Sequence, residues 1–120
     1  MSKTGVWLVG TAGGEVSRAG PVAQDLVALT AWFAKTKAEV QWITGRAVRQ
    51  AAVGLDPAMA RYAKSAWPDS REAILKMLEA ARAYSGDRRV WIGGPAVVAD
   101  EMSPPGRDSG ARFWLLERHP

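Results

Sequence analysis

Three short apolar segments, each containing a tryptophan and each ending in glycine, constrain the fold of this chain more than any other feature. They occupy residues 6–10, 40–45 and 90–94. Segments with helical periodicity separate them, which predicts neighbouring strands of a mostly parallel sheet. The carboxyl ends of such strands meet along one edge, called the rim below, and ligands of open α/β sheets bind at that edge. The sequence therefore predicts the position of a ligand-binding site, although these segments do not indicate which chemistry it performs.

The segments between the apolar runs carry helix signals. Proline in the first turn predicts a helix that opens at residues 20–21, because the missing N–H costs nothing there. Asp56 before a proline predicts the N-cap of a short second helix. Asp69 with Glu72 three residues later predicts a capping box for a third helix, whose apolar face runs to Tyr84.

The order of predicted elements defines the fold class. Strands are expected at 5–10, 39–44, 89–92 and 111–116, and a short helix at 95–102. The resulting order, β-α-β-α-α-β-(α)-β, favours right-handed crossovers. We therefore expect an α/β fold: a single three-layer domain over residues 1–120, with a mostly parallel sheet of four to five strands flanked by helices.

Composition narrows the possible chemistry. The 120-residue chain has no cysteine, and its only histidine is His119. Thiolate nucleophiles, persulfide carriage, thiolate metal sites and histidine-based triads are therefore excluded. We expect no metal and no cofactor, assign no catalytic residue, and favour a role other than catalysis.

Charge and hydropathy bear on partners and location. Lysine and arginine number 16 against 12 acidic residues, a net charge of +4, which favours anionic partners such as a small anionic molecule. The basic residues form no dense run, so nucleic-acid binding is not expected. No apolar run approaches the ~20 residues that span a bilayer, and residues 1–4 show no signal-peptide pattern. We expect a cytoplasmic protein without a membrane partner.

Residues at the predicted rim form the candidate ligand-binding site. Glycines after a strand let main-chain N–H groups approach an anion, and arginine guanidinium groups match carboxylate or phosphate. The spacing matches neither the dinucleotide fingerprint nor the P-loop, so turns and solvated loops are alternative interpretations. The candidate residues are Gly10, Thr11, Gly13, Gly14, Arg18, Thr44, Gly45, Arg46, Arg49, Gly93 and Gly94.

Two other features suggest sites elsewhere. Adjacent carboxylates at Asp100 and Glu101 suit acid–base chemistry or Mg²⁺ binding, although such pairs are more often simply solvated.

Six tryptophans are many for this length. Core packing accounts for most of them, and we expect one or two at a subunit contact, Trp67 beside Pro68 first.

The layout resembles the DsrE/DsrF-like family of small α/β proteins, which includes sulfur-relay subunits of the TusB, TusC and TusD type. The resemblance covers roughly residues 5–102. It begins with a first strand followed by a turn of small residues and a helix whose apolar pattern at 22–29 is similar to that of the family. A second strand that continues into 45–48, a helix at 73–84 and a third strand followed by a short helix within 90–102 complete it. In active members the loop after the third strand carries the persulfide cysteine, which the corresponding residues 92–96 lack. The resemblance thus implies a Rossmann-like subunit of a trimer or hexamer, or the companion of a related subunit.

Two main hypotheses follow. The first is a non-catalytic DsrE-like protein that acts as an oligomeric interaction subunit. The alternative is a small-ligand or nucleotide-binding sensor domain that uses the glycine-rich rim. A third hypothesis, an enzyme using Asp100, Glu101 or the arginines, finds no support in the spacing.

Overall fold

Four strands form one sheet in the computed structural model, which describes residues 3–94 and the backbone of 112–116. The strands are β1 (Thr4–Gly10), β2 (Glu39–Thr44), β3 (Asp87–Gly93) and β4 (Arg112–Leu116), in the order β2-β1-β3-β4. β1 pairs in parallel with both β2 and β3, whereas β4 is antiparallel to β3. The α/β class is confirmed, but the parallel part has three strands, fewer than the expected mostly parallel sheet of four to five.

Four α-helices connect the strands. They are α1 (Ala19–Lys35), α2 (Arg46–Leu55), α3 (Ala60–Lys64) and α4 (Arg71–Ala83), and short 3₁₀ turns at Val16–Arg18 and Pro57–Met59 precede α1 and α3. The predicted cap at Asp56 is confirmed, since its carboxylate accepts the Ala58 N–H at 3.0 Å. α2 lies where no helix is predicted from the sequence. It forms because Val48 and Ala52, one turn apart, are buried together on one side of it.

The helices cover both faces of the sheet. Trp42 and Leu8 on one face pack against Leu26 of α1 and Val48 of α2, within one cluster of buried side chains. Val9 on the other face packs with the buried residues of α4, within a second cluster. α1, α2 and α3 therefore form one layer and α4 the opposite one.

The exposed edge of β2 is covered by the segment that leads into α4. The main chain of Trp67 donates to the Trp42 carbonyl oxygen at 2.9 Å and accepts from Thr44 N–H at 2.9 Å. Gln41 supports the segment with a side-chain hydrogen bond to the Ser65 carbonyl oxygen at 2.9 Å. Covering an edge in this way prevents pairing with other strands. The main chain of Trp67 is thus paired within the chain, while its half-buried side chain stays a predicted subunit contact.

Several expectations fall outside the described residues. They are the short helix at 95–102, the carboxylates of Asp100 and Glu101, and His119. Within the described part of the chain, no helix combines the length and the apolar character needed to span a bilayer.

Candidate functional site

The carboxyl ends of the three parallel strands meet in register at the rim. Gly10 at the end of β1 lies opposite Thr44 on one side and Gly93 on the other. Main-chain hydrogen bonds extend the pairing by one residue: Gly45 N–H donates to the Gly10 carbonyl oxygen at 3.0 Å, and Thr11 N–H donates to that of Gly93 at 3.1 Å. The structure thus brings together the candidate residues that follow β1, β2 and β3.

The crevice between β1 and β3 is where a doubly wound sheet reverses its strand order, and where such sheets place ligands. Here the main chain itself fills it. Gly94 has a φ of +84°, and a β-carbon at that position would overlap the Thr11 carbonyl oxygen. Glycine is required because only it adopts this conformation freely and allows two backbones to approach so closely.

Asp69 occupies the centre of the rim between β1 and β2. Its carboxylate accepts a 2.7 Å hydrogen bond from the hydroxyl of buried Thr11, whose oxygen in turn accepts the Gly13 N–H at 3.1 Å. One Asp69 carboxylate oxygen lies 2.6 Å from where a Gly45 β-carbon would stand. Gly45 is the N-cap of α2, and a carboxylate is favourable beside the positive end of a helix. The chain therefore supplies its own anion at this position.

This role of Asp69 was missed because the sequence offers two adjacent caps for α4. The prediction assigned the cap to Asp69, but Ser70 is the N-cap, and its hydroxyl accepts the Ala73 N–H at 3.2 Å. Both residue types are common N-caps. Only the tertiary contact with Thr11 distinguishes them.

The three candidate arginines are placed differently. Arg18 is exposed and pairs with Glu15 at 2.9 Å, one turn away. Arg46 and Arg49 lie in the first turn of α2 and form no ion pair with a described residue. Gly13 (φ +60°) and Gly14 form an exposed turn before α1. The rim thus combines one carboxylate with two arginines at the start of α2.

Other polar groups add little chemistry to the rim. The hydroxyl of Thr44 is buried and has no hydrogen-bond partner. No cluster of three or more histidine or carboxylate side chains suited to holding a metal ion occurs in the described segments. Comparisons with protein-family models, with curated proteins and with solved structures found no match.

Proposed function

We propose that this chain is a non-catalytic, Rossmann-like protein of the DsrE-like type that acts as a homo-oligomeric subunit through the outward face of α1. The observation that carries the proposal is Trp32, which is 62% exposed in the second half of α1. Trp7, Trp42 and Trp91, which lie in the sheet, are buried by contrast. A large aromatic side chain left in water is typical of an interface.

The outward face of α1 has a pattern that complements itself. Asp25, Ala28, Trp32 and Lys35 are all exposed, and their spacing of three and four residues places them in one stripe along the helix. Neither Asp25 nor Lys35 forms an ion pair with another described residue. The stripe thus carries a negative end, an apolar middle and a positive end.

A second copy of the chain fits this stripe. When two α1 helices pack antiparallel about a two-fold axis level with position 30, Trp32 of one copy covers Ala28 of the other. Asp25 of one copy then faces Lys35 of the other, twice by symmetry. Such isologous contacts are the commonest way in which subunits associate. A two-fold contact is compatible with a dimer or with a hexamer of paired trimers, the larger of the assemblies that the resemblance implies.

The absence of a thiol and the placement of Asp69 support the non-catalytic part of the proposal. No cysteine exists in the sequence, so the persulfide transfer of active DsrE-like proteins has no nucleophile. At the rim, the carboxylate of Asp69 takes the position beside the α2 N-terminus that an anionic substrate would occupy.

Native mass spectrometry of charge-swap variants tests the proposed contact. We expect the unmodified chain to be oligomeric at micromolar concentration, and Trp32→Gln to weaken the contact roughly 30-fold, since interface tryptophans often contribute about 2 kcal/mol or more. Asp25→Lys and Lys35→Glu should each weaken association, and the double variant should restore it. Leu75→Gln, a comparable change on α4 in the opposite layer, is the control. A monomeric unmodified chain, or a double variant weaker than both singles, contradicts the proposal.

Small-ligand binding at the rim is the second candidate, favoured by the unpredicted helix α2. Its first-turn N–H groups have no partner within the helix, and Arg46 and Arg49 stand beside them. An anionic ligand would have to displace Asp69 or overcome the repulsion of its charge. The two candidates therefore differ in what they predict for Asp69.

Thermal unfolding with a panel of nucleotides and inorganic phosphate distinguishes these functions. We expect no shift in Tm for the unmodified chain, and a rise for Asp69→Asn, which keeps an acceptor for Thr11 but removes the charge. Saturation at 100 times Kd stabilises by about 2.7 kcal/mol, or several degrees. Asp87→Asn, at the far end of the sheet, controls for net charge. A shift in the unmodified chain would favour rim binding.

A further inference from the structure

A cleft of about 200 Å³ opens on the α4 face, beside the amino-terminal ends of β1 and β2 and away from the rim. Trp7, Trp67 and Tyr84 line it, and Glu39 contributes a carboxylate at its border. The rings of Trp7 and Tyr84 stand nearly perpendicular, at 85° with centroids 5.3 Å apart. Three aromatic side chains and one carboxylate therefore surround a single small space.

Gly5 makes the aromatic arrangement possible. A β-carbon on Gly5 would lie 2.7 Å from Cη2 of Trp7 and 3.0 Å from Cε2 of Tyr84. Glycine within a strand weakens the strand and often marks a site of close approach. Gly5 is needed in β1 because the two rings lie over it. Any larger side chain at this position would enter the floor of the cleft.

The polar groups of the cleft are suited to a cation. The hydroxyl of Tyr84 is buried beside the carboxylate of Glu39. Burial, then the negative charge of Glu39 and a hydrogen bond with its carboxylate, raise the pKa of this phenol above its usual value. Among the described residues, Glu39 forms an ion pair with an ammonium group, the Nζ of Lys3 at 3.8 Å, and both side chains of this pair are largely exposed.

We propose that this cleft binds a small primary alkylammonium ion. The aromatic rings attract the cation through their electron-rich faces, and the exposed carboxylate of Glu39 supplies the opposite charge and accepts from the ammonium N–H groups. Anionic ligands are repelled by Glu39, and the volume is below the 300–1,000 Å³ typical of drug-sized ligands. The inference concerns a different face from the α1 stripe and does not depend on assembly.

Titrations followed by NMR of the ¹⁵N-labelled chain test the proposal, with the tryptophan indole N–H signals as probes. We expect tert-butylammonium to shift the signals of Trp7 and Trp67 but not that of Trp32, which lies on the other layer. The neutral near-isostere tert-butanol should give no such shift, and tetramethylammonium, which has no N–H, should bind more weakly. Equal shifts with tert-butanol would overturn the assignment of a cation site.

Variants identify which groups recognise the ion. Glu39→Gln should weaken binding by roughly fivefold, the upper range for one exposed ion pair, whereas Lys3→Gln should strengthen it by removing the internal competitor. Glu15→Gln, which also breaks an exposed ion pair, is the matched control and should change nothing. Tyr84→Phe keeps the ring and removes only the hydroxyl beside Glu39, so it should weaken binding less than Glu39→Gln.

A final comparison distinguishes a free amine from a protein side chain with the same chemistry. An acetylated peptide containing one lysine should bind no better than tert-butylammonium, because the cleft accommodates little beyond the ammonium group. Tighter binding of the peptide would overturn the proposal of a free small amine and would indicate a lysine side chain of a protein partner. Unchanged affinity in both Glu39→Gln and Lys3→Gln would overturn the proposed site.

Discussion

Trp42→Ala is expected to lower the free energy of unfolding by about 4 kcal/mol, within the range measured for large aromatic truncations in protein cores. The side chain is 1% exposed and lies at the centre of the layer between the sheet and α1. Its ring stacks on Tyr62 with centroids 5.7 Å apart and an interplanar angle of 23°. Truncation therefore removes buried apolar surface and leaves a cavity that several elements cannot refill.

The indole N–H adds a specific polar component to this effect. It donates to the hydroxyl of Thr30 at 2.9 Å, and that hydroxyl donates to the Leu26 carbonyl oxygen at 2.6 Å. Thr30→Val should therefore cost about 2 kcal/mol, because it leaves a buried N–H without a partner. Trp42→Phe removes the indole N–H, and with it the hydrogen bond to Thr30.

Chemical denaturation of the two single variants and the double variant forms a cycle that measures the coupling. We expect the double variant Trp42→Phe/Thr30→Val to be less destabilised than the sum of the singles by about 1 kcal/mol. Strict additivity would mean that the hydrogen bond contributes nothing to stability. A change below about 1 kcal/mol for Trp42→Ala would contradict the central position of this residue.

The elements that the sequence predicts well are those with local signals. The three tryptophan-containing strands and the Asp56 cap are identifiable because short continuous apolar runs and capping side chains are properties of a few neighbouring residues. α1 begins slightly earlier than the proline suggests, since a 3₁₀ turn at Val16–Arg18 leads directly into it. Boundaries of this kind depend on how a turn docks, which the sequence alone does not reveal.

The elements that the sequence predicts poorly depend on tertiary contacts. No helix is predicted over α2 because Gly45, its N-cap, offers no capping side chain, and its buried side becomes evident only against α1. The position of Asp69 depends on Thr11, 58 residues away in the chain. The aromatic cleft likewise requires Trp7, Trp67 and Tyr84 to converge from three separate segments, and no spacing rule anticipates that.

Gly94→Ala is expected to destabilise the chain by about 3 kcal/mol or more. The left-handed conformation alone costs an alanine roughly 1–2 kcal/mol, and the added β-carbon would overlap the Thr11 carbonyl oxygen, so that β1 and β3 must separate at the rim. Gly14→Ala is the matched control, because no atom lies within 4 Å of a β-carbon there. Its stability should change by less than about 0.5 kcal/mol.

Amide hydrogen exchange at Thr11 locates the damage. Its N–H donates to the Gly93 carbonyl oxygen across the crevice, so its protection should fall in Gly94→Ala and remain in Gly14→Ala. A closed crevice excludes a ligand from the place where doubly wound sheets usually bind one, so its state in solution bears on the rim candidate. If the Thr11 N–H of the unmodified chain exchanged without protection and Gly94→Ala retained its stability, the crevice would be open in solution, and the rim would replace the α1 stripe as the primary candidate.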